Sequence, residues 1–234
     1  MESLYIVMPA YNEAENIEGV VRAWYPLLGG KADSSRLVIA DSGSTDATHG
    51  ILLRLQQEMP QLEILENTGK QHGPKLIALY NYAVSRNADY IFQTDSDGQT
   101  DPSEFAAFWK RRGKYDAILG YRRIRGDGRS RAFVERVVCM LLLLYFGVKV
   151  PDANAPFRLM KTSLVANYLD RFSEDYNIPN IMLTAFFAHD HVKLAFREIS
   201  FRPRQGGTNS LNIPGIVRIG WGALGDFAGF KKEM

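Results

Sequence analysis

Tyr90-Ile91-Phe92-Gln93-Thr94-Asp95-Ser96-Asp97-Gly98-Gln99 decides how this chain is read. The first five residues form a strand-like run. Two carboxylates follow, one residue apart, and a side-chain carbonyl stands two residues further on. Carboxylate and amide oxygens are hard ligands that suit Mg²⁺ or Mn²⁺ beside a phosphate. In open α/β sheets, ligands bind beyond the carboxyl ends of the strands. Asp95, Asp97 and Gln99 therefore read as a metal site that carries a diphosphate leaving group. A competing reading is a solvated turn and helix cap, which Asp101-Pro102 fits as an N-cap with Pro at the first helical position. A calcium loop is excluded, because its Gly and Glu positions hold Thr100 and Ala106.

Working outward, the same pattern recurs. Leu4 to Met8 reads as a strand ending in Pro9-Ala10-Tyr11-Asn12-Glu13, followed by Ile17, Val20, Val21 and Trp24 at helical spacing. Arg36 to Ala40 ends in Asp41-Ser42-Gly43-Ser44-Thr45-Asp46, and a helix follows until Pro60. Leu62 to Leu65 leads to Asn67-Thr68-Gly69-Lys70-Gln71-His72-Gly73-Pro74, and a helix from about Lys75 to Ser85 precedes the Asp95 stretch. Strand, loop and helix repeated at this spacing predict an α/β fold: a mostly parallel sheet with helices on both faces. The strand ends then share one rim. Asp41 on that rim suits a base or ribose, although the same residues fit a capped turn. Neither G-x-G-x-x-G nor a Walker P-loop is present.

The chain has 234 residues, 46% of them apolar and 23% charged, as in an ordinary globular protein. A net charge of +2 argues against a general nucleic-acid binder. Cys139, the one cysteine, leaves no intrachain disulfide and suits a reducing compartment. The chain enters a strand almost at once, which does not read as a signal peptide.

Val7 to Glu13, Asp41 to Asp46 and Asp95-Ser96-Asp97, in that order and spacing, resemble the family-2 glycosyltransferases of GT-A (Rossmann-like) fold, and within them the dolichol-phosphate mannosyltransferase-like branch. The three motifs cover the first half of the chain. The resemblance implies a UDP- or GDP-sugar donor, a divalent metal and an inverting transfer to a polyprenyl phosphate or glycan acceptor. It implies donor contacts from Pro9, Tyr11, Glu13, Asp41, Lys70, Asp95, Arg122, Arg131 and Arg204. It also implies one domain over 1–234, with a nucleotide-sugar and metal half at 1–120 and an acceptor half at 121–234. The family commonly has a second acid after Asp41; Ser42 stands there instead.

In the second half, a strand at Ala117 to Gly120 leads into five arginines between Arg122 and Arg131. Arginine forks match phosphate oxygens, so this reads as a phosphate-gripping loop or a basic surface patch. The apolar run Val137 to Phe146 is too short to span a bilayer and reads as a core helix or a surface-dipping one. Pro151-Asp152-Ala153-Asn154-Ala155-Pro156-Phe157-Arg158 resembles the family's acceptor-side motif, with Asp152 as catalytic base or orienting carboxylate; it also fits a Pro-bounded turn. A long strand-like run, Val192 to Phe201, precedes a loop in which Arg204 and Gly207 match the family's donor-closing positions. Catalysis is thus expected to rest on Asp97, Asp152 and Arg204. His189 and His191 stand apart from other metal-binding types. A cytoplasmic location is expected, with peripheral contact at the cytoplasmic face of a membrane. Rival readings are a sugar-1-phosphate nucleotidyltransferase, which lacks its Gly-rich loop here, and a non-enzymatic membrane-surface or RNA-binding module using the arginines.

Overall fold

The computed structural model describes residues 1–124, 129–203 and 225–231, with backbone alone for 129–130. Seven strands form one sheet: β1 (Leu4–Ala10), β2 (Arg36–Asp41), β3 (Leu62–Leu65), β4 (Tyr90–Thr94), β5 (Ala117–Tyr121), β6 (Phe157–Lys161) and β7 (Leu194–Glu198). Their order is β3-β2-β1-β4-β6-β5-β7. β6 runs antiparallel to β4 and β5, and the other pairings are parallel. The expected mostly parallel sheet is present, and the chain crosses over at the β1–β4 boundary. That is where a doubly wound sheet opens a crevice.

Helices cover both faces. Period-two alternation in β1 sends Leu4, Ile6, Met8 and Ala10 to one core and Tyr5 and Val7 to the other. The first core is closed by α1 (Ile17–Trp24), α2 (Thr48–Glu58) and α4 (Phe105–Trp109). The second is closed by α3 (His72–Ser85), α5 (Arg129–Phe146), α6 (Thr162–Leu169) and α7 (Pro179–His189). Phe92 of β4 centres an aromatic cluster, meeting Phe157 edge-on at 4.7 Å and Trp24 at 5.4 Å. Each such pair adds about 0.5–1.5 kcal/mol beyond its buried area.

Two differences from the sequence reading concern the acceptor half. β6 lies where a loop motif was expected. Its sequence, Phe157-Arg158-Leu159-Met160-Lys161, puts an arginine at the second position, which hides the strand pattern. The strand forms because Arg158, fully buried, donates to three backbone carbonyls: Ala155 at 3.0 Å, Asn180 at 2.9 Å and Ala153 at 2.6 Å. The run expected over Val192 to Phe201 is strand only over Leu194–Glu198.

Gly73 fixes how closely α3 packs at its start. A Cβ there would lie 2.2 Å from the Tyr176 carbonyl, so glycine lets the first turn of α3 press against residues 176–177. That contact sets α3, with His72 and Lys75, at the rim.

Candidate active site

The ends of β1, β2 and β4 meet on one rim, and side chains stitch them together. Asn12, in the left-handed region at φ 53°, donates its N–H to Ser44 and accepts from the Thr45 N–H at 2.7 Å. Glu13 donates its N–H to Thr48, and Ala14 donates to Asp46. Ser96 donates to the Pro9 carbonyl at 2.8 Å, closing β1 onto β4. Ser42, where an acid was expected, bonds Thr68 in the loop after β3. It serves the rim as a brace.

Asp41 ends β2 at only 4% exposure. One carboxylate oxygen accepts from Ser44 at 2.5 Å, and the other lies 3.1 Å from Nδ1 of His49. His49 also faces Glu66 at 3.5 Å. Asp41, Ser42, Gly43, Ser44, His49, Glu66 and Asn67 line an open cavity of about 230 Å³. The Lys70 stem lies over Gly43, where φ is 79° and a Cβ would crowd it at 3.0 Å. Tyr11 is exposed just after β1. Glu13 and Pro9 sit behind the rim: Glu13 is buried and accepts from Asn16, and Pro9 is a buried strand residue. A larger cavity of about 410 Å³, lined by Glu2, Lys31, Asp89, Trp109 and Arg112, opens at the opposite strand ends and holds none of the motifs.

Asp95 and Asp97 are half-buried beyond β4. The Asp95 Oδ1 accepts from Gln93 at 3.2 Å and lies 3.3 Å from the His72 ring. The Asp97 Oδ1 accepts from the Gln99 N–H at 3.1 Å. Among the described residues no group of three or more His, Cys, Asp or Glu forms a metal cage. Two neighbouring carboxylates still fit Mg²⁺ or Mn²⁺, which keep waters and take the rest of their shell from substrate phosphates. Gln99 is the third expected ligand. Its buried amide donates to the Arg202 carbonyl at 2.7 Å, clipping the chain after β7 to the metal loop.

The acceptor side gathers around Asp152, which is buried. Arg122 grips it at both oxygens, at 2.8 and 2.9 Å, and adds its backbone N–H at 3.1 Å. The Asn154 N–H supplies a fourth donor. Glu135 of α5 accepts from the Ala153 N–H at 2.7 Å and faces Arg122 at 3.5 Å. Arg122, expected on the donor diphosphate, is thus committed to Asp152. Arg158 holds the Ala153 and Ala155 carbonyls of the same loop. Arg131 lies in the first turn of α5. Arg204, Gly207 and residues 125–128 of the arginine loop lie outside the described residues.

The model of glycosyl transferase family 2 matches residues 5–232. The chain belongs to that family. An undecaprenyl-phosphate mannosyltransferase of Micrococcus luteus is 22% identical over 97% of both chains. The succinoglycan biosynthesis protein ExoA of Rhizobium meliloti is 38% identical over 44% of this chain, a stretch spanning 30% of that protein. Glucosyl-3-phosphoglycerate synthase of Mycobacterium tuberculosis, solved with Mn²⁺, UDP-glucose and phosphoglyceric acid, superposes with a TM-score of 0.73 at 18% identity. The superposition covers 97% of this chain and 80% of that one. At that identity it establishes the GT-A fold. Family membership sets aside the nucleotidyltransferase and surface-module readings.

In this family-2 chain, sequence reasoning missed His49, Glu66, His72 and Lys75. The two histidines and Glu66 stand in loops or first helical turns beside quoted motifs, so proximity was a usable signal. Lys75 gave none, because a lysine in an amphipathic helix reads as solvent-facing.

Proposed function

We propose that this family-2 chain moves a hexosyl group from a UDP- or GDP-sugar to a polyprenyl phosphate, inverting the anomeric centre. The observation that carries the acceptor choice is the Arg122–Asp152 pair. A general base needs a lone pair within reach of the proton it takes. Asp152 is buried and accepts from Arg122 and Asn154 at both oxygens. It is an anchor for the acceptor loop. A sugar hydroxyl would need a base there, whereas a lipid phosphate is already ionised. The undecaprenyl-phosphate relative, aligned over nearly all of both chains, supports the same acceptor.

The roles then follow from position. Asp41 and the cavity beside it take the nucleoside, and the exposed Tyr11 ring offers it a further contact. Asp95 and Asp97 would hold a divalent cation, which when bound would neutralise charge on the leaving β-phosphate. The rim also lies at the N-terminal ends of α2 and α3, whose N–H dipoles favour an anionic ligand. An acceptor phosphate oxygen attacks the anomeric carbon opposite the leaving group. The bond from that carbon to the β-phosphate oxygen breaks, and its electron pair leaves with the nucleoside diphosphate. Lys70, whose stem lies over Gly43, would supply positive charge to that diphosphate. By the family resemblance, and not by any described position, Arg204 would add to it, as would Arg131.

No helix among the described residues is long and apolar enough to cross a membrane. The outer face of α5 exposes Phe133, Met140, Leu143 and Leu144 beside Arg136, while Leu142 and Phe146 face the core. An exposed apolar stripe with basic neighbours suits a membrane surface, where a polyprenyl acceptor resides. Transfer assays with UDP- and GDP-sugars, Mn²⁺, and either polyprenyl phosphate or oligosaccharide acceptors test the reading. Turnover on the lipid phosphate is expected. Turnover on the hydroxyl acceptors alone would overturn the acceptor assignment.

A further inference from the structure

Lys75 occupies an environment that stability alone does not explain. It is the fourth residue of α3 and is 1% exposed. Its ammonium donates to the carbonyl of Ala10, the last residue of β1, at 2.5 Å. It lies 5.2 Å from the centre of the Tyr11 ring. Among the described residues no carboxylate pairs with it directly, and Asp41 acts on it through space. Burial pulls the ammonium down to about 8, and the Asp41 charge only partly restores it. A buried cation with one carbonyl and one ring around it is a net burden on the fold. An uncharged side chain of similar length would fill the space without that burden. Yet the ammonium sits beneath the meeting point of Ala10, Tyr11 and Asp41, the nucleoside end of the rim.

We infer that Lys75 is a positioning residue of the donor site, kept at the expense of stability. Its charge answers the Asp41 carboxylate, and its bonds set the β1 end and the Tyr11 ring where the nucleoside docks. This rests on the nucleotide-sugar reading above. Lys75 acts from below the rim, so its effect runs through Asp41 and Tyr11.

The test is Lys75→Met, which keeps the length and removes the charge. Binding of UDP and GDP with Mn²⁺ is measured by calorimetry, and thermal unfolding is followed in parallel, for wild type, Lys75→Met, Asp41→Asn and the double variant. The expected result is a Tm equal to or above wild type and affinity for the preferred nucleotide weakened roughly tenfold or more. The double variant is expected to bind no more weakly than the worse single variant, because the two groups act as one unit. Nucleotide affinity within about twofold of wild type would overturn the inference. So would a Lys75→Met protein that melts lower or fails to fold, since Lys75 would then be a structural residue. If wild type binds neither nucleotide, the donor reading itself fails, a result distinct from a wild type that binds and a variant that binds equally.

Discussion

Arg122 and Asp152 are joined at three points: two guanidinium nitrogens at 2.8 and 2.9 Å and the Arg122 backbone N–H at 3.1 Å. Both side chains are nearly sealed from solvent, at 6% and 3% exposure. A planar fork on a carboxylate is among the stronger charge-assisted contacts, and burial raises what is lost when one partner is removed.

Asp152→Asn is therefore expected to lower stability by roughly 1–3 kcal/mol, because it removes the closer of the two carboxylates that face the buried Arg122 charge and leaves Glu135 at 3.5 Å. Denaturant unfolding checks this. At a temperature where the variant is folded, donor affinity should match wild type and kcat on polyprenyl phosphate should stay within about tenfold. A lost general base would remove about 10²–10⁴. A collapse of that size, with folding confirmed, would return Asp152 to the role of base.

Asp97→Ala should abolish transfer and weaken nucleotide binding in the presence of Mn²⁺. It should change stability little, because Asp97 is half-buried at a loop and its Oδ1 accepts a local bond from Gln99. Titration of nucleotide with and without Mn²⁺ separates the effects. Wild type should gain affinity from the metal and the variant should not. Full wild-type activity in excess chelator, with metal removal verified, would refute the metal role.

Lys75 links pH to binding and to stability with opposite signs. Its folded pKa, about 8, lies below the ordinary lysine value of 10.5. Between those values the unfolded chain holds more protons than the folded one, so the Lys75 contribution to stability rises with pH. Below about pH 8 the buried charge carries its full penalty. Nucleotide affinity should move the other way and fall above about pH 8. The groups nearby are Asp41 from β2, Tyr11 after β1, His49 of α2 beside Asp41, Lys70 before α3, and Asp95 with His72 beyond β4. Comparing pH series of nucleotide Kd and Tm for wild type and Lys75→Met isolates the Lys75 part. Parallel curves for the two proteins would exclude it.

The outer face of α5 should bind anionic vesicles. Replacing Leu144 with Glu places a charge on an exposed site, so folding should be nearly unaffected while vesicle co-sedimentation falls. Added salt should weaken wild-type binding, because exposed charges are screened over about 8–10 Å at moderate ionic strength. Binding indifferent to lipid charge, to salt and to Leu144→Glu would leave the stripe without a membrane role.

The sheet and its rim were legible in the sequence because their signals are local. Alternation set β1 into two cores, and strand-end residues such as Asp41 and Asp95 follow directly on the apolar runs that carry them to the rim. The order of three short motifs was enough to point to the family. What only the tertiary structure decided are the partnerships. Lys75 and Ala10 are 65 residues apart, Asp152 and Arg122 are 30 apart, and His72 and Asp95 are 23 apart. Each depends on which helix packs over which strand end. β6 was hidden for the same reason: a buried arginine inside the strand is tolerable only when Ala153, Ala155 and Asn180 turn their carbonyls to it. Sequence names the groups that face a ligand. Which of them remain able to do chemistry depends on long-range burial and pairing, and those arise only when the chain has folded.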